Sequence, residues 1–240
     1  MNLELRWGYA VPVACAILLA IGFPASRAIA DPAARRTYRW LQLCTLFGAV
    51  IGAKLAALWG DVGWPWGWSD VLLVGRSITG GLLGGFLAAE LAKPLFRYRE
   101  PPNDRFAAVL PFSLAIGRVG CFVEGCCAGR PWSGPWALAD EHGVLRHPAQ
   151  LYELFFQLAA GGLLIFLLRR NKMRGKLFAL YLVIYGAFRF LTEMVRDTPR
   201  MESGLSRYQV LALLMIVLGA GWGLRRAWPA PSSTGEAVHG

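Results

Sequence analysis

Long apolar stretches alternate along the chain with short, arginine-rich polar ones. Seven apolar runs lie near Trp7–Phe23, Trp40–Leu58, Ser77–Phe96, Phe106–Phe122, Gln150–Leu168, Leu177–Val195 and Tyr208–Leu224. Each approaches the roughly 20 residues that an α-helix needs to cross about 30 Å of hydrocarbon. A soluble domain would interrupt such runs with polar residues every few positions, and the strands of a membrane barrel would alternate apolar and polar. In lipid a segment must satisfy its own backbone hydrogen bonds, so helix is predicted for every run. The pattern predicts an all-α integral membrane protein, a single domain of seven transmembrane helices over residues 1–226. The segment 227–240 is rich in Pro, Ser and Gly and reads as a disordered tail.

Composition sharpens this picture. Hydrophobic residues make up 55% of the 240 residues and charged ones 17%, with 10 Trp and 28 Gly. Trp favours the water–lipid interface, and Gly lets helices approach closely inside a membrane. The net charge of +10 invites a nucleic-acid partner, but the basic residues sit in short loops between apolar runs. That is a topology signal, and no nucleic-acid partner is expected. Fifteen of the 25 Lys and Arg fall in the odd-numbered loops and the C-terminal tail, and eight on the other side. The excess predicts an N-terminus outside and a cytoplasmic C-terminus. Ala28-Ile29-Ala30 before Asp31 resembles a signal-peptide cleavage site. Glu4 near the N-terminus and the cluster Arg27, Arg35, Arg36 and Arg39 favour a retained first span instead.

Ionisable residues within spans are costly unless they face protein or water, so they mark functional candidates. Lys54 lies among small residues in the second span, and Arg118 at the outer end of the fourth. Tyr185, Arg189 and Glu193 recur every four residues and share one face of the sixth helix, with Arg196 following. An Arg189–Glu193 pair that ties helices together is one reading. Convergence of Arg118 and Arg189 on an anion is the other, since the planar guanidinium fork suits phosphate. Two glycine-rich stretches stand out, GRSITGGLLGG (Gly75–Gly85) and GRVGCFVEGCCAGR (Gly117–Arg130). Close helix packing accounts for most membrane glycines, but the second stretch also holds two Arg, Glu124 and three Cys. It predicts a helix that breaks near the membrane surface and lines a cavity. RHPAQLYE (Arg146–Glu153) opens the fifth span, with Pro148 suited to a first turn.

The five cysteines divide by position. Cys15 and Cys44 lie in apolar spans and read as packing residues. Cys121, Cys126 and Cys127 cluster on the oxidising side, where a disulfide or structural role, thiol chemistry and a soft metal all remain open. If the fourth helix continues to Phe122, Cys121 lies one turn from Arg118. It is then expected to be the most readily alkylated of the five.

Taken in order, RWGYA, GAKLA around Lys54, SITGGLLGG, GRVGCFVEGCCAGR, RHPAQLYE, YGAFRFLTEMVR and LSRYQVL resemble the prolipoprotein diacylglyceryl transferases of bacterial inner membranes. The long family motif, G-R-x-G-N-F-x-N-G-E-x-x-G, is kept at Gly117, Arg118, Gly120, Phe122, Gly125 and Gly129. HPSQLYE corresponds to His147–Glu153, and YGxFRxxxE to Tyr185, Gly186, Phe188, Arg189 and Glu193. The departures are specific. Thr79 stands where the family has His in HGG, Cys121 and Glu124 replace two Asn, and Cys126 replaces an acidic residue.

The resemblance implies transfer of diacylglyceryl from phosphatidylglycerol to the lipobox cysteine thiol of a prolipoprotein. It places the chain in the bacterial inner membrane as a multi-pass protein. The partners implied are phosphatidylglycerol, prolipoprotein signal peptides with a lipobox Cys, and surrounding membrane lipids; no cofactor and no metal ligand is implied. Negative charge grows on the leaving phosphate, which calls for fixed donors shielded from water. Arg118, Arg189, Gly80, Gly81, Gly120, Gly129, His147 and Tyr152 are the expected phospholipid-binding residues. Arg118, Arg189, Tyr185, Glu193, Glu153, Cys121 and Cys126 are the expected catalytic ones, with Glu153, Glu193 and His147 as candidate bases. The alternative is a transferase-like membrane protein that binds lipid or carries out thiol or metal chemistry without lipidating prolipoproteins.

Overall fold

A computed structural model describes residues 31–73, 75, 77–98 and 104–225. The first expected span and the expected tail lie outside the described residues. Helices dominate: α1 (Pro32–Ala57), closing in a π-type turn (Leu58–Val62), α2 (Trp68–Leu73), α3 (Ile78–Leu95), α4 (Asp104–Val123), α5 (Ala149–Arg169), α6 (Leu177–Thr192) and α7 (Arg207–Arg225). Between α4 and α5 a two-stranded hairpin pairs β1 (Leu138–Ala139) with β2 (Leu145–Arg146), Leu138 opposite Arg146 and Ala139 opposite Leu145.

Six of the seven expected spans coincide with α1 and α3–α7. Pro32–Val62, Asp104–Val123 and Ala149–Arg169 are long and apolar enough to cross a membrane by length and composition, while Leu177–Thr192 and Arg207–Gly223 are shorter apolar helices. α3 is shorter than the first three, at 18 residues, and carries Glu90 and Lys93 toward its C-terminal end. Local chemistry sets the ends. α1 starts eight residues before the apolar run because the Asp31 carboxylate accepts from the Ala33 and Ala34 amides and Pro32 occupies the first turn. Ser77 caps α3 by accepting from Gly80 N. Asp104, at the start of α4, accepts from the amides of Gly175 and Leu177 and so caps α6 from outside its own segment.

The helices pack as α1 on α3, α4 on α5 and α6 on α7. The α1–α3 contact is backbone to backbone. A Cβ on Gly80 would lie 2.2 Å from the Gly52 carbonyl oxygen, and one on Gly84 would lie 2.3 Å from that of Gly48. One core joins the remaining helices through Leu82, Leu83 and Phe86 of α3, Ala107 and Ala108 of α4, Leu164 of α5, Tyr181 and Tyr185 of α6, and Met215 of α7.

Burial is inverted relative to a soluble protein. Arg118, Glu153, Gln157, Arg189 and Glu193 are buried, whereas Phe47 is 69% exposed, Leu91 75% and Phe155 65%. An apolar exterior around a polar interior is stable when the surrounding solvent is lipid.

Candidate functional site

α5 and α6 run antiparallel and meet through two polar rungs, each four residues from the next. Tyr181 Oη donates to Gln157 Oε1 at 2.7 Å, and Tyr185 Oη donates to Glu153 Oε1 at 2.8 Å. The helical repeat dictates this: residues 153 and 157 share one face of α5, and 181 and 185 one face of α6. Each buried hydroxyl thereby finds an acceptor, as burial requires.

The rung at Glu153 opens onto the arginines. Arg118 Nη2, from α4, lies 2.8 Å from Glu153 Oε2. One helical step beyond Tyr185, Arg189 Nη2 lies 3.1 Å from Glu193 Oε2, which Arg196 Nε approaches at 3.9 Å. Thr198 Oγ1 donates to the other Glu193 oxygen at 2.5 Å. The Arg189 guanidinium sits 5.3 Å over the Tyr208 ring of α7, whose hydroxyl hydrogen-bonds to Asp61. Glu153 feels Arg118, Arg189 and Arg196 together. Three guanidinium groups therefore converge with two carboxylates at one end of the bundle. Burial, reinforced by the like charges of Arg189 and Arg118, holds Arg196 below the ordinary arginine value. Arg118 Nε, Arg189 Nη1 and Arg196 Nε are buried and have no hydrogen-bond partner among the described residues. Buried donors left over after pairing with glutamate suit an anionic ligand.

After α4 the chain turns back on itself. Cys126 N donates to the Cys121 carbonyl at 3.1 Å, and Gln150 Nε2 of α5 donates to the Cys126 carbonyl at 2.6 Å. Gly125 and Cys127 both take a φ of 64°, left-handed backbone that costs a side chain with a Cβ of the order of 1 kcal/mol. The Sγ atoms of Cys121, Cys126 and Cys127 lie within 4.8 Å of one another, and Arg118 Nη1 lies 3.8 Å from Cys121 Sγ. Hydrogen bonds from Cys121 and Cys126 pull the Cys127 thiol well below the usual value, and bonds within the same triangle push Cys126 up.

The helical spacing thus brings Cys121 to Arg118 as expected, and the three thiols differ in exposure. Cys121 is buried within α4, Cys126 is half-buried and Cys127 is exposed. An open cleft borders this loop, lined by Gly125, Ala128, Asp140, Glu141, His142 and Arg146.

Beyond the cysteines the loop is tied down by backbone. Gly129 N donates to the His147 carbonyl at 2.8 Å, His147 N to the Arg130 carbonyl at 3.1 Å, and Arg130 N to the Val195 carbonyl at 2.8 Å. A Cβ on Gly129 would sit 2.4 Å from that Val195 oxygen, so only glycine allows the approach. Gly120 is buried in α4, and its carbonyl accepts from Glu124 N. Arg146 donates from Nε to Asp140 at 2.7 Å and from Nη1 to Asp197 at 3.2 Å. That bond holds the Asp140 carboxyl below the usual carboxylate range.

The remaining expected residues lie in two other settings. His147 stacks on Trp132 at 4.2 Å and 8°, with Nδ1 3.1 Å from Tyr152 Oη, which accepts from Trp136 Nε1 at 2.8 Å. Gly80 and Gly81 face α1, where their immediate neighbours are Gly52, Ala56, Ala49 and Ala53. Arg196 and Tyr208 belong to the polar cluster but were not among the expected site residues. Arg196 had a readable signal, since it follows Arg189 by seven residues and Glu193 by three on one helical face.

The sequence matches the family model described as prolipoprotein diacylglyceryl transferase over residues 1–224. It is 35% identical over 172 residues to the phosphatidylglycerol–prolipoprotein diacylglyceryl transferase of Bordetella parapertussis, covering 65% of this chain and 63% of that one. It is 39% identical over 159 residues to the enzyme of that name from Aeromonas salmonicida, covering 61% and 56%. For the Proteus mirabilis enzyme the figures are 32% over 196 residues, covering 66% and 65%. The chain spans about three fifths of the length of these curated relatives. With the matched residues running through every helix described above, the chain belongs to the prolipoprotein diacylglyceryl transferase family.

Proposed function

We propose that this chain transfers diacylglyceryl from phosphatidylglycerol to the lipobox cysteine thiol of prolipoproteins. The observation that carries the reading is the convergence of the Arg118, Arg189 and Arg196 guanidinium groups, each with a buried nitrogen that has no hydrogen-bond partner among the described residues. In the reaction the thiol sulfur attacks a glycerol carbon. A C–S bond forms, the C–O bond to phosphate breaks, its electron pair passes to a phosphate oxygen, and the thiol proton is lost to water. Positive donors held in place before the reaction stabilise that charge without reorganisation. Glu153 and Glu193 hold the arginines in position. A carboxylate already engaged by a guanidinium and a hydroxyl is poorly placed to remove a proton, so Glu153 acts through Arg118 rather than as the base. Tyr185 fixes Glu153, and His147 and Tyr152 shape the loop beside the site.

The same reading places the chain in a bacterial inner membrane as a multi-pass protein of seven spans, N-terminus outside and C-terminus cytoplasmic. Phosphatidylglycerol and a lipobox signal peptide are its substrates, and bulk lipid is its solvent. The cysteine triangle favours a second reading, thiol or metal chemistry without prolipoprotein lipidation. Incubation of purified protein with phosphatidylglycerol and a lipobox peptide separates the two. A peptide mass gain of one diacylglyceryl group is expected, and no gain with intact, folded protein leaves the second reading.

A further inference from the structure

We propose that Cys121, Cys126 and Cys127 form a three-thiolate zinc site whose fourth position binds the acceptor's cysteine thiol. The role of the fourth position rests on the transfer reading above; the metal site does not.

The geometry comes first. The three Sγ atoms already lie within 4.8 Å of one another. Zinc bound at about 2.3 Å to tetrahedral sulfurs holds them about 3.8 Å apart, so closing the triangle requires only a small movement. All three ligands come from one seven-residue segment, the last turn of α4 and the turn after it. Its shape is fixed by the Cys126-to-Cys121 backbone bond, by Gln150 on the Cys126 carbonyl, and by left-handed backbone at Gly125 and Cys127. Such backbone at a residue with a side chain persists only where its surroundings enforce it. Here it turns the third thiol into the triangle.

The donor set selects the metal. Three sulfurs exclude hard cations and favour zinc or another soft ion. Among the described residues the group contains these three cysteines and no imidazole or carboxylate. A structural zinc site closes with four protein ligands, while a reactive one keeps three and exchanges the fourth. Three thiolates around Zn²⁺ leave one net negative charge, and the Arg118 guanidinium 3.8 Å from Cys121 Sγ offsets it. Cys127 is exposed and Cys126 half-buried, so one side of the triangle is open to an incoming chain.

The chemistry then follows. The carboxylates near the arginines are both committed: Glu153 to Arg118 and Tyr185, Glu193 to Arg189 and Thr198. Zinc supplies activation by another route, since a coordinated thiol is deprotonated outright. The acceptor thiol binds zinc and loses its proton to water. Its sulfur forms the C–S bond as the C–O bond to phosphate breaks, and the electron pair leaves on the phosphate oxygen toward the arginines. The thioether product is a weak zinc ligand and departs.

Reduced, purified protein loaded with zinc or Co²⁺ tests this. Elemental analysis should find about one zinc per chain. Co²⁺ should give sulfur-to-cobalt charge-transfer absorption that is lost in Cys127→Ser and in protein alkylated beforehand with N-ethylmaleimide. The visible Co²⁺ bands should change when a lipobox peptide is added and stay unchanged with its Ser analogue. In the transfer assay a chelator should slow the reaction about 100-fold, with recovery on adding zinc. No thiolate-to-cobalt absorption in reduced wild-type protein overturns the site, including protein isolated with two of these cysteines disulfide-linked. Transfer at full rate in the presence of chelator overturns the catalytic role. A thiol-dependent Co²⁺ spectrum without diacylglyceryl transfer instead removes the transfer reading and leaves the metal site standing. The wild-type titration and its alkylated control decide the matter even if Cys127→Ser fails to fold.

Discussion

Arg118 illustrates how much depends on the shape of a single side chain. It reaches from α4 to Glu153 on α5 at 2.8 Å while a third nitrogen, Nε, stays unpaired. Lysine has the charge but not the fork, and it cannot hold a carboxylate and a phosphate oxygen in fixed directions at once. Arg118→Lys should lower diacylglyceryl transfer by about 100-fold or more with little change in melting temperature. Arg169→Lys, exposed at the far end of α5, should leave the rate within about twofold. Equal rates for the two variants in the peptide mass assay would remove Arg118 from the anion site. The sequence singled out Arg118, Glu153 and Tyr185, because charged and hydroxyl groups inside apolar runs are conspicuous. Their mutual pairing was not legible, since 35 and 32 residues separate the partners and only helix packing decides who meets whom. Tyr208 shows the converse, because an aromatic in an apolar helix reads as packing until a guanidinium is found above it.

At the scale of elements, helix positions were legible and their joints were not. Apolar runs locate α3–α7 because each must be continuous to satisfy its backbone, whereas α2 and the β1–β2 hairpin are too short to leave a periodic trace. The hairpin is held by Asp140, which accepts from His142 N, Val144 N and Arg146 Nε. Its carboxyl lies below the ordinary carboxylate value of about 4. Its contribution is therefore complete above that ordinary value and is lost as pH falls through the depressed one. The protection factors of the Val144 and His142 amides, taken against the intrinsic exchange rate at each pH, should fall on acidification in the native protein. Asp140→Asn should show the lower protection factors already at neutral pH, with no further fall on acidification. The α1–α3 joint has its own test. Gly84→Ala pushes a methyl to 2.3 Å from the Gly48 oxygen and should destabilise by about 1–3 kcal/mol, read as a lower melting temperature. Gly162→Ala on α5, with nothing within 4 Å, should be neutral or slightly stabilising.

At the scale of the whole molecule, the proposed orientation rests on the loop charges. Reporter fusions after Arg174 should behave as cytoplasmic and fusions after Asp61 as external. The opposite result at Arg174 would invert the proposed topology and put the arginine cluster on the wrong side for an exported acceptor.

The glycine contact between α1 and α3 carries one more consequence, for traffic. Where the Gly80 and Gly52 backbones nearly touch, no gap remains wide enough for an acyl chain, which needs a channel of about 4–5 Å. That seam is closed to lipid, and a hinge there would have to break backbone contacts along two turns at once. In the proposed reaction, a two-tailed donor arriving from the bilayer and a two-tailed lipopeptide returning to it would therefore have to pass a different pair of helices. For that reaction, lipid passage is expected where side chains, rather than glycines, keep neighbouring helices apart.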